Sequence, residues 1–297
     1  MQKPYNRFVG IDLGGARGKT TAVAVLAATG DGDVYDVEVQ KVAPRWSVDG
    51  IEEPWSDDAL VALIDTSEAT VVAVDAPLTL PACLRCTLPA CPGHSACVDP
   101  AVVWLRTEGE HLLQESVASD LDRIAAVPHD TAPVGFSGNL PAQTRSRPVG
   151  YVHRCTEIAL HYQRDLYPRE SVGQSCGPVA NRAHHLGRRL ASLGFELNRN
   201  LIEVSPRATV TALFDAARAR GYKRDADPWH TRAGIHEALE LNFSPSSRLA
   251  REQTLANDHC FEALLSAYTA YLFATEGWTL PDSEVFSDDG WIWAPEG

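Results

Sequence analysis

The stretch that decides the fold is Arg7-Phe8-Val9-Gly10-Ile11-Asp12-Leu13-Gly14-Gly15, an apolar run that ends in an acid and a glycine turn. Its length and apolar content are those of a strand buried in a sheet. Two further strands are expected at residues 20–28 and 34–42, because glycine-containing connections of this length are typical of antiparallel hairpins. The sequence therefore predicts an opening antiparallel meander of three strands, the first at residues 7–13.

After the meander, helical and extended patterns alternate. Ser56 is placed to cap a helix that runs to about Asp65, and the apolar residues 69–74 read as a strand of a parallel sheet. A short strand is expected at 201–204. Further helices are predicted over residues 100–119, 151–167, 179–193, 209–221 and 257–276. This order is that expected of a ribonuclease H-like α/β domain, with a mixed sheet flanked by helices.

One domain over residues 1–297 accounts for the whole chain, with a Cys-rich insertion at 83–97 and a mostly helical insertion at 98–195. The 44% of apolar residues and 22% of charged residues are an ordinary globular balance. The start of the chain lacks the apolar core of a secretion signal, and no run of about 18 apolar residues occurs. We therefore expect a soluble, cytoplasmic protein without a membrane partner. The oligomeric state stays open.

Charge is distributed unevenly along the chain. The formal net charge is −13, yet residues 145–225 carry 14 Lys and Arg against 7 Asp and Glu. One interpretation is solvated helix faces and internal ion pairs. The other is a surface that contacts phosphates, which makes nucleic acid the expected partner.

Carboxylates occupy the ends of the predicted elements. Asp12 and Asp75 end apolar strands, Glu203 lies in the short strand, and Asp258 and Glu262 lie one turn apart at the start of the last helix. Clustered carboxylates raise one another's pKa unless a cation compensates them. Each acid alone is also compatible with a helix cap or an ion pair. Together they predict a two-metal site for Mg²⁺ or Mn²⁺ that hydrolyses a phosphodiester, with the first four acids as catalytic ligands and Glu262 as a further ligand.

Four basic residues are candidates for substrate binding. Arg207 follows the strand of Glu203, and its planar guanidinium suits a phosphate. Arg145 and Arg147 lie in a loop rich in Pro, Ser and Gly, and Lys19 lies in the first hairpin. His259 lies beside Asp258, where it is a candidate proton shuttle. Because adjacent helical side chains point apart, it is not assigned to the site.

A second metal site is predicted from closely spaced cysteines. Seven cysteines in a chain without a signal peptide indicate reduced thiols or metal ligands. Four of them lie within 15 residues and are therefore able to converge without distant parts of the chain. These are Cys83, Cys86, Cys91 and Cys97. Zn²⁺ is slightly favoured, and a 4Fe–4S cluster is the alternative.

Several of these segments carry a family resemblance. The strings are residues 9–15 (Val-Gly-Ile-Asp-Leu-Gly-Gly), 74–81 (Val-Asp-Ala-Pro-Leu-Thr-Leu-Pro), 202–206 (Ile-Glu-Val-Ser-Pro) and 258–263 (Asp-His-Cys-Phe-Glu-Ala), with Ala267 and Ala270. They resemble the family known as domain of unknown function 429, described as predicted nucleases of ribonuclease H-like fold. The resemblance implies a metal-dependent nuclease with Asp12, Asp75, Glu203 and Asp258 as ligands. Glu262 stands where that family more often has Asp.

Two other functions compete with the nuclease. The glycine-rich turn at 14–20 is not a Walker phosphate loop, because Leu13 stands where that pattern requires glycine. An acid followed by two glycines and a lysine does resemble the first phosphate motif of actin-like ATP-dependent phosphotransferases and ATPases. A non-enzymatic scaffold of the same fold that binds nucleic acid or protein is the third hypothesis.

Overall fold

The computed structural model describes residues 5–15, 20–29, 36–65, 69–115, 148–166, 171–172, 176–245 and 249–296. Its strands are β1 Arg7–Asp12, β2 Ala22–Thr29, β3 Asp36–Ala43, β4 Trp46–Val48, β5 Ile51–Glu53, β6 Thr70–Asp75, β7 Leu201–Val204, β8 Asn242–Phe243 and β9 Ile292–Trp293. Its helices are α1 Asp57–Ile64, α2 Ala82–Arg85, α3 Pro100–Trp104, α4 Cys155–Gln163, α5 Gly177–Ala191, α6 Pro206–Leu213, α7 Ala216–Arg224, α8 Pro228–Ala238, α9 Ala250–Ala256, α10 Asp258–Glu276 and α11 Ser283–Asp289. A π-helical turn, Leu105–Gly109, continues α3.

The central element is a sheet of seven strands in the order β8-β3-β2-β1-β6-β7-β9. The neighbours β1, β2 and β3 pair antiparallel, whereas β6 pairs parallel with β1, and β7 pairs parallel with β6. Strands β4 and β5 form a separate two-stranded sheet. The predicted meander and the predicted mixed α/β sheet are therefore confirmed, with strand limits that differ by no more than two residues.

Helices cover both faces of the sheet because successive strand side chains point to opposite sides. Phe8 of β1 packs in one core cluster with Leu264 of α10. The next residue, Val9, packs in a second cluster with Leu60 of α1 and Leu186 of α5. The strands are buried on both faces, which explains why they read as nearly continuous apolar runs.

Several helices begin and end where the sequence predicts. The side chain of Ser56 accepts a hydrogen bond from the Ala59 N–H and so caps α1. Asn257 caps α10 by accepting from the backbone N–H groups of His259 and Cys260, and Gly277 ends that helix in the left-handed conformation, with φ 67°. The start and end of α10 are thus fixed by ordinary capping chemistry.

Other elements differ from the prediction. The helix expected over 209–221 is two helices, because the chain leaves helical geometry at Phe214 and Asp215 then caps α7. The helix expected over 151–167 is the shorter α4. The stretch 222–251, which the sequence left unassigned, contains α8 and β8. Among the described residues, no helix has both the length and the apolar character needed to cross a membrane.

Strand β1 and helix α10 approach each other at backbone distance. A Cβ atom at Gly10 would lie 2.1 Å from the Ala263 carbonyl oxygen and 2.2 Å from the Ala267 nitrogen. Both of those atoms belong to the backbone, so no side-chain rotation would relieve such a contact. The absence of a side chain at Gly10 therefore allows α10 to lie directly on the strand that ends at Asp12.

Replacing Gly10 with Ala tests this contact. We expect Gly10→Ala to lower the free energy of unfolding by about 3 kcal/mol or more, at the upper end of what overpacking costs, because only backbone atoms surround the new methyl group. The measurement is denaturant unfolding followed by circular dichroism. Gly234→Ala in α8 is the matched control, because a Cβ there meets nothing within 4 Å. That variant should be unchanged or more stable by about 0.5–1 kcal/mol. Equal stability of the two variants would contradict the close approach.

Candidate functional site

The candidate site begins with an ion pair at the end of β1. Asp12 is 5% exposed, and the His259 Nδ1–H donates a hydrogen bond of 2.5 Å to its Oδ2 atom. This hydrogen bond raises the pKa of His259, and burial acts in the opposite direction. His259 lies in the first turn of α10, whose N-terminal backbone N–H groups favour a nearby negative charge. Asp12 is therefore a buried carboxylate paired with the His259 imidazole.

Glu262 lies one turn further along α10 and is also buried, with 3% exposed. Its Oε1 atom accepts a hydrogen bond of 2.8 Å from the Tyr222 hydroxyl. Its Oε2 atom lies 2.6 Å from Lys223 Nζ, as an ion pair without the alignment of a hydrogen bond. Burial raises the pKa of Glu262, the nearby Asp12 adds to the rise, and Lys223 and Tyr222 lower it.

Asp12, His259 and Glu262 form one group. Each residue offers a ligand atom, and these atoms all lie within 4.8 Å of one another. Within the described ranges, no other set of three His, Cys, Asp or Glu side chains meets this condition. Two carboxylates and an imidazole are an ordinary ligand set for a divalent metal ion. The group is therefore the candidate metal centre of this chain.

Asp75 lies beside this group at the end of the neighbouring strand. Its Cα atom pairs with that of Asp12 in the parallel register of β1 and β6. Its side chain lines a cleft of about 180 Å³, to which Glu262 also contributes. The pairing of the two strand ends is the one that the sequence predicts, and it places Asp75 at the mouth of the candidate centre but outside the 4.8 Å group.

The cleft has a strongly basic wall. Arg207 at the start of α6 and Arg220, Lys223 and Arg224 of α7 line it together with Asp75 and Glu262. Arg207, Arg220 and Arg224 are exposed. The prediction of Arg207 as a cation beside the acidic site thus agrees with its position. The other three basic residues were not predicted as candidates. Arg220 was assigned to a helix across the break at Phe214, and Lys223 and Arg224 fell in the stretch from 222 that the sequence left unassigned.

Glu203 points away from this group into a buried ion pair. Its Oε1 atom accepts a hydrogen bond of 2.6 Å from Arg154 Nη2, and its Oε2 atom accepts from Arg154 Nη1 at 2.7 Å and from the Leu78 N–H at 2.9 Å. Arg154 is completely buried. Burial lowers the pKa of Arg154, but Glu203 and Glu157 outweigh it and raise that pKa. Both oxygens of Glu203 are therefore engaged by the protein itself.

The remaining predicted residues lie at other places. Asp258 is half-buried at the first position of α10 and does not belong to the group of three. Lys19, Arg145 and Arg147 lie outside the described residues. The cysteines Cys83, Cys86, Cys91 and Cys97 line one common hollow, but no three of their sulfurs lie within 4.8 Å of one another. A preformed metal knuckle is therefore not confirmed.

His259 is the residue of the group that the sequence analysis left out. Its imidazole hydrogen-bonds Asp12 at the end of β1, whereas Asp258 does not belong to the group of three. The signal for this was present in the sequence. Ala263 and Ala267 follow at four-residue steps, and small residues on one helix face mark the face that packs closely. That face includes His259.

Comparisons with known proteins add one finding. A family model with the description "Protein of unknown function (DUF429)" matches residues 10–285, and so includes both strand ends and the first turns of α10. Neither the curated proteins nor the solved structures gave a significant match.

The Asp12–His259 pair predicts that the pKa values of two histidines are shifted in opposite directions. In metal-free protein His259 should titrate above its ordinary pKa of about 6.5, whereas burial lowers the pKa of His236 to about 4. Histidine ring resonances in an NMR pH titration measure both. In Asp12→Asn the His259 midpoint should fall, because the variant removes the carboxylate that stabilises the imidazolium.

The same pair makes a prediction about stability. Because the pKa of His259 is raised in the folded state, its protonation contributes stability below about pH 6.5. That contribution is lost as the pH rises through the pKa of the folded state. The difference in unfolding free energy between wild type and His259→Ala should therefore shrink as the pH rises. A difference that grows with pH, or a His259 midpoint unaffected by Asp12→Asn, would contradict the ion pair.

Proposed function

We propose that this chain, which belongs to the DUF429 family as its sequence resemblance predicted, is a metal-dependent nuclease that hydrolyses phosphodiester bonds of nucleic acid. The proposal rests on acids that meet at a basic cleft. The ion is Mg²⁺ or Mn²⁺, held by Asp12, His259 and Glu262. The observation that carries the proposal is the convergence of these three side chains from opposite ends of the chain to within 4.8 Å.

The donor set fits the proposed ion. Carboxylate oxygens suit Mg²⁺ and Mn²⁺, and the imidazole of His259 favours the transition metal over Mg²⁺. When bound, such an ion supplies an activated water and neutralises charge on a phosphate. The strand order β3-β2-β1-β6-β7, with its antiparallel first three strands, supports the ribonuclease H-like fold in which we place this chemistry. Asp75 is the acid placed to extend the site to a second ion.

Two interactions of the candidate site must break before a cation binds. His259 donates its Nδ1 proton to Asp12, so that nitrogen binds a metal only after the proton leaves. Lys223 neutralises Glu262, and it lines the cleft as well. An ion at Glu262 would release the Lys223 ammonium towards the cleft, where it would join Arg207 in binding a phosphate group.

One observation favours a second candidate function. Asp12 and Glu262 are already compensated by His259 and Lys223, so that the acids form a stable arrangement without a metal. The chain would then be a non-enzymatic protein that binds nucleic acid through the basic wall. Cleavage assays distinguish this scaffold from the nuclease.

The cleavage assay tests the nuclease directly. Labelled single-stranded, duplex and branched DNA and RNA are incubated with the protein and Mn²⁺ or Mg²⁺. We expect cleavage that EDTA abolishes and that Asp12→Asn and Glu262→Gln each reduce by at least about 100-fold, because even outer-shell partners of a metal site cost about 10–100-fold. Glu237→Gln, at an exposed acid of α8, is the matched control and should keep wild-type activity.

Two results would overturn the assignment. Equal cleavage by wild type and by the variants would identify a contaminating nuclease. Binding of the substrates without cleavage under any metal would establish the scaffold. In the nuclease, cleavage should also increase with pH through the titration of His259, because protonated His259 does not bind the ion.

The basic wall makes a separate prediction about salt. Each cation that contacts a phosphate contributes about 0.7–0.9 to the slope of log K against log salt. Arg207→Ala and Arg220→Ala should therefore each weaken nucleic-acid binding and reduce that slope by about 1, as measured by fluorescence anisotropy. Arg188→Ala, an exposed arginine of α5 that does not line the cleft, should change neither quantity. An unchanged slope in the cleft variants would place the nucleic acid elsewhere.

A further inference from the structure

The Cys-rich segment lies apart from the acidic cleft and has a structure that its own chain does little to hold. Between α2 and α3, residues 86–99 contain neither helix nor strand. The backbone hydrogen bonds within it are those of a single turn, from the Ala96 and Cys97 N–H groups to the Gly93 carbonyl. A segment with so little secondary structure needs another source of order.

Four thiols face one hollow in this segment. Cys83 of α2, Cys86 just after it, Cys91 and Cys97 line a hollow of about 450 Å³. All four are reduced, and three of them are exposed. Free cysteine is ordinarily among the most buried residue types, as Cys155 and Cys260 are in this chain. Packing therefore does not explain why these four are here.

Two arginines hold the segments that carry the four cysteines. Arg85 on α2 donates hydrogen bonds to the Leu80 carbonyl and to the buried carboxylate of Asp289. Arg106 Nη1 donates to the carbonyl oxygens of His94 and Cys97, at 2.6 and 3.2 Å. Arg85 thus anchors the helix beside Cys83 and Cys86, and Arg106 anchors the turn that ends at Cys97.

The stretch from Cys91 to Cys97 also has the geometry of a ligand loop. Gly93 has a φ of 87°, and its N–H donates a hydrogen bond of 3.4 Å to Cys91 Sγ. Backbone N–H groups that point at a cysteine sulfur stabilise the thiolate form, which is the form that binds metals. Pro92 and Gly93 place this donor without a helix or strand.

We propose that Cys83, Cys86, Cys91 and Cys97 bind one Zn²⁺ ion as a four-thiolate structural site, independently of the nuclease function proposed above. Tetrahedral Zn²⁺ with bonds of about 2.3 Å requires sulfurs roughly 3.8 Å apart, whereas no three of these sulfurs lie within 4.8 Å here. Binding therefore draws the four sulfurs closer together than they lie here. Zn²⁺ fits better than a 4Fe–4S cluster because it is redox-inert and three of the four thiols are open to solvent.

Metal content and thiol protection test the site in the full-length protein. Protein purified under reducing conditions without chelator, or refolded with ZnCl₂, should contain about one Zn per chain by inductively coupled plasma mass spectrometry. In wild type, the four thiols should resist alkylation by iodoacetamide and become alkylated after treatment with EDTA, as mapped by peptide mass spectrometry. This protection requires no variant and so does not depend on the folding of one.

The variants identify the ligands. Cys86→Ser and Cys91→Ser should each reduce bound zinc by at least about tenfold, whereas Cys176→Ser, outside the hollow, should retain it. Wild-type protein without metal and with four alkylatable thiols would overturn the proposal. So would iron with absorbance near 400 nm, or equal zinc in the Cys86 and Cys176 variants. Because zinc content is measured without a substrate, a negative cleavage assay leaves this result unaffected.

Discussion

The close approach of α10 to Gly10 is the constraint on which the candidate site depends. The two residues from Gly10 to Asp12 span roughly 7 Å of strand, and the four residues from Ala263 back to His259 span about 6 Å of helix. Because these lengths match and the two elements run in opposite directions, the contact at Gly10 places the His259 imidazole at the level of Asp12. A side chain at residue 10 would separate the two elements and with them the two ends of the chain that build the site.

The same contact determines the charge balance of the site. Once α10 lies on β1, Asp12 and Glu262 are buried close together, and each needs a positive partner. The protein supplies His259 to one and Lys223 to the other. A divalent cation therefore competes with a proton on His259 and with an ammonium on Lys223. That competition makes occupancy of the proposed site dependent on pH. The dependence would be much weaker in an acidic cluster without such partners.

The sequence predicted what depends on local pattern and failed where long-range packing decides. The apolar periodicity located β1 and β6, and parallel pairing then brought Asp12 and Asp75 to one edge. Nothing near Glu203 in the sequence indicates Arg154, which lies 49 residues earlier in the helical insertion and takes both of its oxygens. His259 depends on the rotation of α10 about its axis. Ala263 and Ala267 indicate which face packs closely, but the strand that this face meets is fixed only by the fold.

Glu203 connects the Cys-rich segment to the sheet through buried polar groups. Arg154 Nη1 donates to the Thr79 hydroxyl, which in turn donates to the Asp289 carbonyl. The Asp289 carboxylate accepts from Arg85, which lies between Cys83 and Cys86 in the sequence. A buried ion pair of this kind contributes little net stability, because desolvation offsets the attraction. Removing one member would leave its partners without the hydrogen bonds that they make here, which costs more than the pair itself contributes. The acidic edge of the sheet thus has two halves with different roles: at Asp12 its carboxylates meet a cleft, and at Glu203 the carboxylate fixes the segment that follows Asp75.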